Sequence, residues 1–177
     1  MFTLTFLAAV LSADPCTSGV PVGKRPGPYS FLVASGPQRG QLTCYICEQE
    51  DKPTAVVFAR SLSKPLGQLL QRLDQETAAR SATGFKAWMT LLTDSADLDQ
   101  LVKWSQSQGL KAVPIGAFED ADGPPAYTLS NDADITVLLF VKRKVLANFA
   151  FRPGELTEAK LTEVSQALPR LFENTSR

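Results

Sequence analysis

The segment Thr54-Ala-Val-Val-Phe-Ala59 decides the fold, because it is an uninterrupted run of small, β-branched and aromatic residues. Such a run is typical of a strand buried on both faces. Leucines then follow at the spacing of a helix, and Ser63 can cap that helix while Pro65 fits its first turn. These leucines are Leu62, Leu66, Leu69, Leu70 and Leu73.

The chain after this unit continues the alternation of strands and helices and then closes with a hairpin. Residues 86–93 and 112–118 are predicted strands, and the helix between them is capped by Asp94 or Ser95 and ends at Gly109. Two consecutive β-α-β units predict parallel strands joined by right-handed crossovers. Later elements are a helical turn at 125–129, strands at 135–141 and 145–151 around a turn at 142–144, and a helix capped by Thr157.

The chain before residue 54 predicts an amino-terminal hairpin. Residues 29–34 and 41–47 are candidate strands on either side of the Gly36–Gly40 turn. Residues 14–28 hold four prolines and three glycines, which indicates an irregular lead-in.

Composition excludes several functional classes. The 177 residues include 18 lysines and arginines against 18 aspartates and glutamates, so no basic excess favours nucleic acid. Histidine is absent, which excludes Ser-His-Asp and Cys-His catalysis. The three cysteines cannot form a four-cysteine zinc site, and no metal or other cofactor is predicted.

The two ends of the chain differ from the domain between them. Residues 1–13 form a short apolar run ending in small residues, which predicts a cleaved signal peptide and a secreted or periplasmic protein. No other stretch is long and apolar enough to span a membrane, so no span is expected in the mature chain. We expect one domain over residues 29–172 and a disordered tail over 173–177.

The order of elements resembles the thioredoxin-like superfamily, in the longer arrangement of peroxiredoxins and related redoxins. The resemblance runs from about residue 28 to residue 171. It implies an α/β fold: a three-layer α/β/α sandwich with a mixed central sheet and an amino-terminal hairpin.

The resemblance also implies where a catalytic centre belongs. Members of the superfamily keep the reactive cysteine at the start of the first long helix, where free N–H groups stabilise a thiolate. Here that position holds Ser63, followed by Lys64 and Pro65, and Thr136 stands where thioredoxins have a cis-proline. With Arg60, these residues are expected to cluster at this end of the sheet, either as a small anion site or as an ordinary capped helix. Conventional thioredoxin or peroxidase activity is not expected there.

Cys44 and Cys47 form a C-x-x-C pair that precedes the central strand. The pair can be a redox dithiol, half of a metal site or a structural disulfide. It is expected at the end of the sheet opposite the usual centre, and a disulfide within a regular strand would require a turn or bulge. Cys16 can pair with either cysteine, pair between chains or stay free.

Two functional hypotheses follow from these patterns. The first is an extracytoplasmic thioredoxin-like protein without conventional activity at the usual site. The second is a thiol–disulfide oxidoreductase in which Cys44 attacks a protein thiol or disulfide partner and Cys47 resolves the intermediate.

Overall fold

The computed structural model describes residues 14–173. Its centre is a seven-stranded sheet in the order β2-β1-β5-β4-β3-β6-β7. The strands are β1 (Phe31–Ser35), β2 (Leu42–Thr43), β3 (Thr54–Ala59), β4 (Lys86–Leu92), β5 (Ile115–Phe118), β6 (Ile135–Val141) and β7 (Lys144–Phe151). The α-helices are α1 (Tyr45–Gln49), α2 (Lys64–Ala79), α3 (Leu98–Ser107) and α4 (Glu158–Ala167). Short 3₁₀ turns lie at Ser81–Thr83, Pro125–Tyr127 and Leu168–Leu171.

Strand β3 is the middle of the sheet, as its composition predicted. It runs parallel to β4 and antiparallel to β6, with Val56 facing Trp88 on one side and Leu138 on the other. Every residue of β3 is buried. The parallel β3–β4–β5 unit, the antiparallel β6–β7 hairpin and the amino-terminal β1–β2 hairpin are all present, so the predicted mixed sheet is confirmed.

The sheet separates two cores of different character. On one face, α2, α3 and α4 pack through Leu66, Leu101 and Leu161 against alternate sheet residues. On the other face, the core is largely aromatic, and it is covered by the lead-in, the one-turn helix α1 and the turn at Pro125–Tyr127. The predicted three-layer α/β/α sandwich is confirmed, with one thick outer layer and one thin one.

Buried hydrogen bonds tie the aromatic core together. The Trp88 indole N–H donates to the Tyr29 hydroxyl at 2.8 Å, which also lies 2.8 Å from the Thr90 hydroxyl. The Tyr127 hydroxyl donates to the Gly27 carbonyl at 2.7 Å. Burial raises the pKa of both tyrosines far above the usual value, so they act as neutral packing groups.

Three local predictions were wrong. Residues 41–47 were expected to be one strand, yet pairing ends at Thr43 and α1 begins at Tyr45. Helix α3 is capped by Asp97, whose carboxylate accepts from the Gln100 N–H, and not by Asp94 or Ser95. The strand expected from residue 112 begins at Ile115, directly after Pro114, which cannot donate to a sheet ladder.

The lead-in is irregular but well packed. Val20 is buried in the aromatic core, and the Asn148 side-chain amide donates to the carbonyls of Ser18 and Val20. The predicted signal peptide at residues 1–13 and the end of the predicted tail at 174–177 lie outside the described residues. Between residues 14 and 173, no helix has the length and apolar character needed to cross a membrane.

Candidate functional site

Helix α1 is held to the sheet by one of its faces. Tyr45 and Gln49, one helical turn apart, are both buried. The Tyr45 ring packs edge-on against Phe31 and Trp88, with centroids 5.3 and 5.5 Å away. The Gln49 amide donates to the carbonyl of Gly84 at 3.2 Å and to that of Pro53 at 3.4 Å. The opposite face of this turn is therefore directed to solvent on a fixed support.

Cys44 and Cys47 are joined by a disulfide across this turn. Cys44 is the N-cap of α1, and its sulfur accepts a hydrogen bond from the Cys47 backbone N–H at 3.2 Å. Cys44 is half-buried, whereas Cys47 is exposed. The helical turn, absent from the strand expected here, is what brings the two sulfurs together.

A cleft of about 270 Å³ lies beside Cys47. Its apolar surface comes from Ile46 and Phe140 and from two prolines of the lead-in, while Arg25, Arg143 and Glu50 supply its charges. The lining includes Cys47 and not Cys44. A group bound in this cleft would therefore meet the sulfur of Cys47 first.

The acidic residues after Cys47 are partly neutralised. The Glu48 carboxylate lies 3.3 Å from the Lys86 ammonium and accepts from the Gln38 amide at 3.0 Å. Lys86 also sits 4.3 Å from the centroid of the Tyr45 ring. Burial, with a further contribution from the Glu48 charge, raises the pKa of Tyr45 to about 12. Tyr45 is therefore neutral at physiological pH and supports the turn through packing.

The disulfide lies at the end of the sheet where β3 and β4 begin. Gln49 contacts Pro53, and Lys86, the first residue of β4, pairs with Glu48. Ser63 follows the far end of β3, which five residue steps of 3.3 Å place roughly 17 Å away along the strand. The two positions are at opposite ends, as the order of elements predicted.

The start of α2 is a satisfied helix cap. The Ser63 hydroxyl accepts from the Leu66 backbone N–H at 3.3 Å, and Lys64 and Pro65 are the first two residues of the helix. Arg60 does not point toward a ligand position there. Its guanidinium donates to the backbone carbonyls of Ala133 at 3.1 Å and Ser130 at 3.2 Å, and also to that of Ala121.

No protein-family model matches the sequence, and no curated protein sequence matches it significantly. Similar solved structures exist. A proposed protein disulfide isomerase from Bacteroides thetaiotaomicron is 14% identical with a TM-score of 0.67, covering 90% of this chain and 96% of that one. A proposed thiol:disulfide interchange protein, DsbE, from Chlorobium tepidum is 18% identical with a TM-score of 0.61, covering 84% and 99%. The fold is thioredoxin-like.

A peroxiredoxin-like protein from Aquifex aeolicus agrees with this, at 14% identity and a TM-score of 0.59, with coverage of 86% of this chain and 88% of that one. Identities at this level establish the thioredoxin-like, redoxin-type arrangement alone.

Arg60, Ser63, Lys64 and Thr136 lie at the same end of the sheet, but the Thr136 side chain is directed away from the start of α2. Thr136 lies between Ile135 and Val137, which face α2, so its own side chain points to the opposite face of the sheet. There its hydroxyl lies 2.7 Å from that of Ser18. At this end of the thioredoxin-like fold, the polar groups are used for capping and for attaching the lead-in.

Cys16 is a free, half-buried thiol in the lead-in and pairs with neither Cys44 nor Cys47. Burial raises the pKa of Cys16, and the nearby Arg152 guanidinium partly offsets this effect. Among residues 14–173, no group of three or more cysteine and carboxylate side chains is placed to hold a metal ion.

The cleft residues Arg25, Phe140 and Arg143 were missed by sequence reasoning. They come from the lead-in, the end of β6 and the β6–β7 turn, which are far apart in the chain. Phe140 faces Thr54 in the antiparallel β3–β6 pair, and this register brings the end of β6 to the start of β3. A correct prediction of that register could have found Phe140 and Arg143.

Proposed function

We propose that this protein is an extracytoplasmic thiol–disulfide oxidoreductase that works through Cys44 and Cys47, while the start of α2 takes no part in the chemistry. One observation carries the proposal: an exposed disulfide sits in a helical turn beside an open cleft, whereas the usual position in α2 holds Ser63. Protein thiols are the proposed partners. This proposal joins both sequence hypotheses, because the usual site is inert and the displaced pair is active.

The exchange starts when a substrate thiolate attacks the exposed sulfur of Cys47. A bond forms between the substrate sulfur and Cys47, the Cys44–Cys47 bond breaks, and the electron pair leaves on Cys44 as a thiolate. The Cys47 N–H that contacts the Cys44 sulfur favours this charge. A second substrate thiolate then attacks the bound substrate sulfur, which gives a substrate disulfide and the protein dithiol.

The roles of the cysteines are therefore reversed relative to the sequence expectation. In the reverse direction, Cys47 carries the mixed disulfide and the half-buried Cys44 resolves it. Exposure favours this order, because access to a sulfur limits exchange along with its thiolate character.

A purely structural role for the disulfide is less well supported by its position. The chain-entropy model gives about 2 kcal/mol for a loop of about four residues, far less than for a long loop. The turn is also already held by Tyr45 and Gln49. A bond that closes so short a loop and is exposed at Cys47 can be opened and closed without unfolding the domain.

An insulin-reduction assay on the full mature chain tests this proposal. We expect Cys44→Ser and Cys47→Ser each to reduce activity to the buffer background, while Ser63→Ala and the matched cysteine control Cys16→Ser retain it. Activity in Cys44→Ser equal to the unsubstituted chain would refute the proposal. A redox titration gives a second check, since exchange chemistry requires a potential of about −120 to −270 mV, and a value below about −300 mV marks a structural disulfide.

Location outside the cytoplasm is part of the same proposal. It is supported by the apolar residues 1–13 and by the need of a disulfide for an oxidising compartment. Fusion of residues 1–20 to a reporter that is active only after export would test it. A reporter retained in the cytoplasm would contradict it.

A further inference from the structure

Two arginines, Arg25 and Arg143, line the cleft beside Cys47 together with Glu50. Arg25 is exposed, and its side chain forms no ion pair or hydrogen bond with any residue between 14 and 173. The Arg143 guanidinium lies 3.4 Å from the Asp51 carboxylate and is itself 44% exposed. Because Arg143 is paired with Asp51, Arg25 is the lining cation without an ion pair among residues 14–173, and Glu50 is the carboxylate of the lining.

The apolar part of the cleft is built on buried and half-buried side chains. Phe140 and Pro26 are buried, and Ile46 is half-buried on α1. Backbone hydrogen bonds join the lead-in to β7 on both sides of Lys24, from Gly23 N–H to the Val145 carbonyl at 2.8 Å and from Val145 N–H to the Lys24 carbonyl at 2.9 Å. The segment that carries Arg25 is therefore fixed in place, and its guanidinium is presented at the rim of a preformed cleft.

From this arrangement we infer that the cleft selects thiols flanked by carboxylates, which Arg25 and Arg143 bind while the substrate sulfur reaches Cys47. This inference rests on the proposed function and adds the substrate class. A volume of about 270 Å³ lies at the lower end of the range of small-molecule sites, so the cleft fits the thiol-bearing residue and its immediate neighbours. Two sources supply this chemistry: a cysteine beside acidic residues in a polypeptide, and the free tripeptide glutathione.

The positive charge also favours approach of any thiolate, so the test must vary the flanking charge alone. Rates of opening of the Cys44–Cys47 disulfide are measured with three reduced pentapeptides that carry a central cysteine between two glutamates, two glutamines or two lysines. The rates are also measured with glutathione and with 2-mercaptoethanol, which has no charged group besides its thiolate. Rates are expressed per thiolate concentration, which removes differences between the pKa values of the probes.

We expect the acidic peptide to react on the order of tenfold faster than the lysine peptide at low salt, and the ratio to shrink as salt screens the charges. Arg25→Gln is expected to reduce this ratio on the order of threefold. Lys24→Gln removes the same charge from an exposed neighbour that does not line the cleft, and it is expected to leave the ratio nearly unchanged. Dividing each rate by the rate with 2-mercaptoethanol removes the effect of a substitution on any thiolate, and an unchanged near-ultraviolet circular dichroism spectrum shows that each variant is folded.

The outcomes separate this inference from the proposed function. Equal rates for the three peptides, or an equal loss in Lys24→Gln and Arg25→Gln, overturn the inference and leave the exchange activity in place. No exchange with any thiol overturns the proposed function and, with it, this inference. Glutathione reacting as fast as the acidic peptide supports the inference with the free thiol as the source, and a slower reaction supports it with the polypeptide source.

Discussion

Two helix starts at opposite ends of the sheet are capped with the same geometry by different atoms. At α1, the Cys44 sulfur accepts from the N–H three residues later at 3.2 Å; at α2, the Ser63 oxygen accepts from the N–H three residues later at 3.3 Å. Helix α1 has 5 residues and α2 has 16. The longer helix has the stronger dipole end but carries a hydroxyl, and the shorter one carries the disulfide.

In this thioredoxin-like fold, the helix start at the expected catalytic position and the helix start that carries sulfur are therefore two different places. A serine hydroxyl needs a base to become a nucleophile, and histidine is absent from the chain. A thiol needs no such partner, because thiolate forms near physiological pH once a few N–H groups stabilise it. Under the proposed function, the position of the sulfur, and not the length of the helix, decides which end exchanges disulfides.

The largest expected effect concerns how helix α1 is held to the sheet. Tyr45 is the aromatic contact of α1, and Tyr45→Ala removes its buried ring from between Phe31 and Trp88. We expect a loss of about 3–5 kcal/mol in the free energy of unfolding, measured by urea denaturation of the oxidised protein. Tyr45→Phe keeps both ring contacts and should cost less than about 1.5 kcal/mol. A loss below 1 kcal/mol for Tyr45→Ala would mean that α1 is held by the disulfide instead.

The same residue explains why part of the site escaped prediction from the sequence. The stretch from Gln41 to Cys47 has the composition of a strand, and only its first part forms one. Tyr45 and Gln49 have the helical spacing of four residues, but two residues are too few for a periodic signal. Their burial depends on partners distant in the chain, namely the rings of Phe31 and Trp88 and the Gly84 carbonyl.

Other features could be predicted because the signal was local. The buried run at residues 54–59, the leucine spacing of α2 and the Ser63 cap are each contained in a few consecutive residues. Thr136 could also have been assigned correctly, because strand alternation places it on the face away from its neighbours Ile135 and Val137. The cleft could not be predicted in the same way, because Arg25 lies in the irregular lead-in, where no helix or strand periodicity indicates the direction of a side chain.

A smaller effect is expected at the other helix start. Ser63→Ala removes the acceptor for the Leu66 N–H and should cost about 1 kcal/mol of stability, with disulfide exchange activity unchanged. Ser63→Asp restores an acceptor and adds a favourable charge at the start of α2, so it should recover that stability. Thermal or urea unfolding, with an insulin-reduction assay in parallel, measures both quantities. Loss of activity in Ser63→Ala without loss of stability would place the chemistry at α2.

The smallest expected effect tests whether the start of α2 can still stabilise a thiolate. In the oxidised protein, Cys44 and Cys47 do not titrate, so the thiol introduced by Ser63→Cys can be compared with the natural thiol of Cys16. The positive end of α2 should lower the pKa of the introduced thiol by about 0.5 unit from the ordinary value near 8.5. Burial raises the pKa of Cys16. At pH 7.5 the introduced thiol should therefore have the larger thiolate fraction.

Alkylation by iodoacetamide across the pH range measures both titrations, with Cys16→Ser/Ser63→Cys isolating the introduced thiol and the unsubstituted oxidised protein isolating Cys16. If the introduced thiol titrates below the ordinary value, the α2 start has kept the electrostatics of a thiolate site and lacks only the sulfur. A midpoint pH at or above that of Cys16 would show that the start of α2 no longer favours negative charge at position 63. The Arg60 guanidinium, which donates to backbone carbonyls, would then give no support to a thiolate there. The two helix starts would then differ in their electrostatic environment as well as in their capping atom.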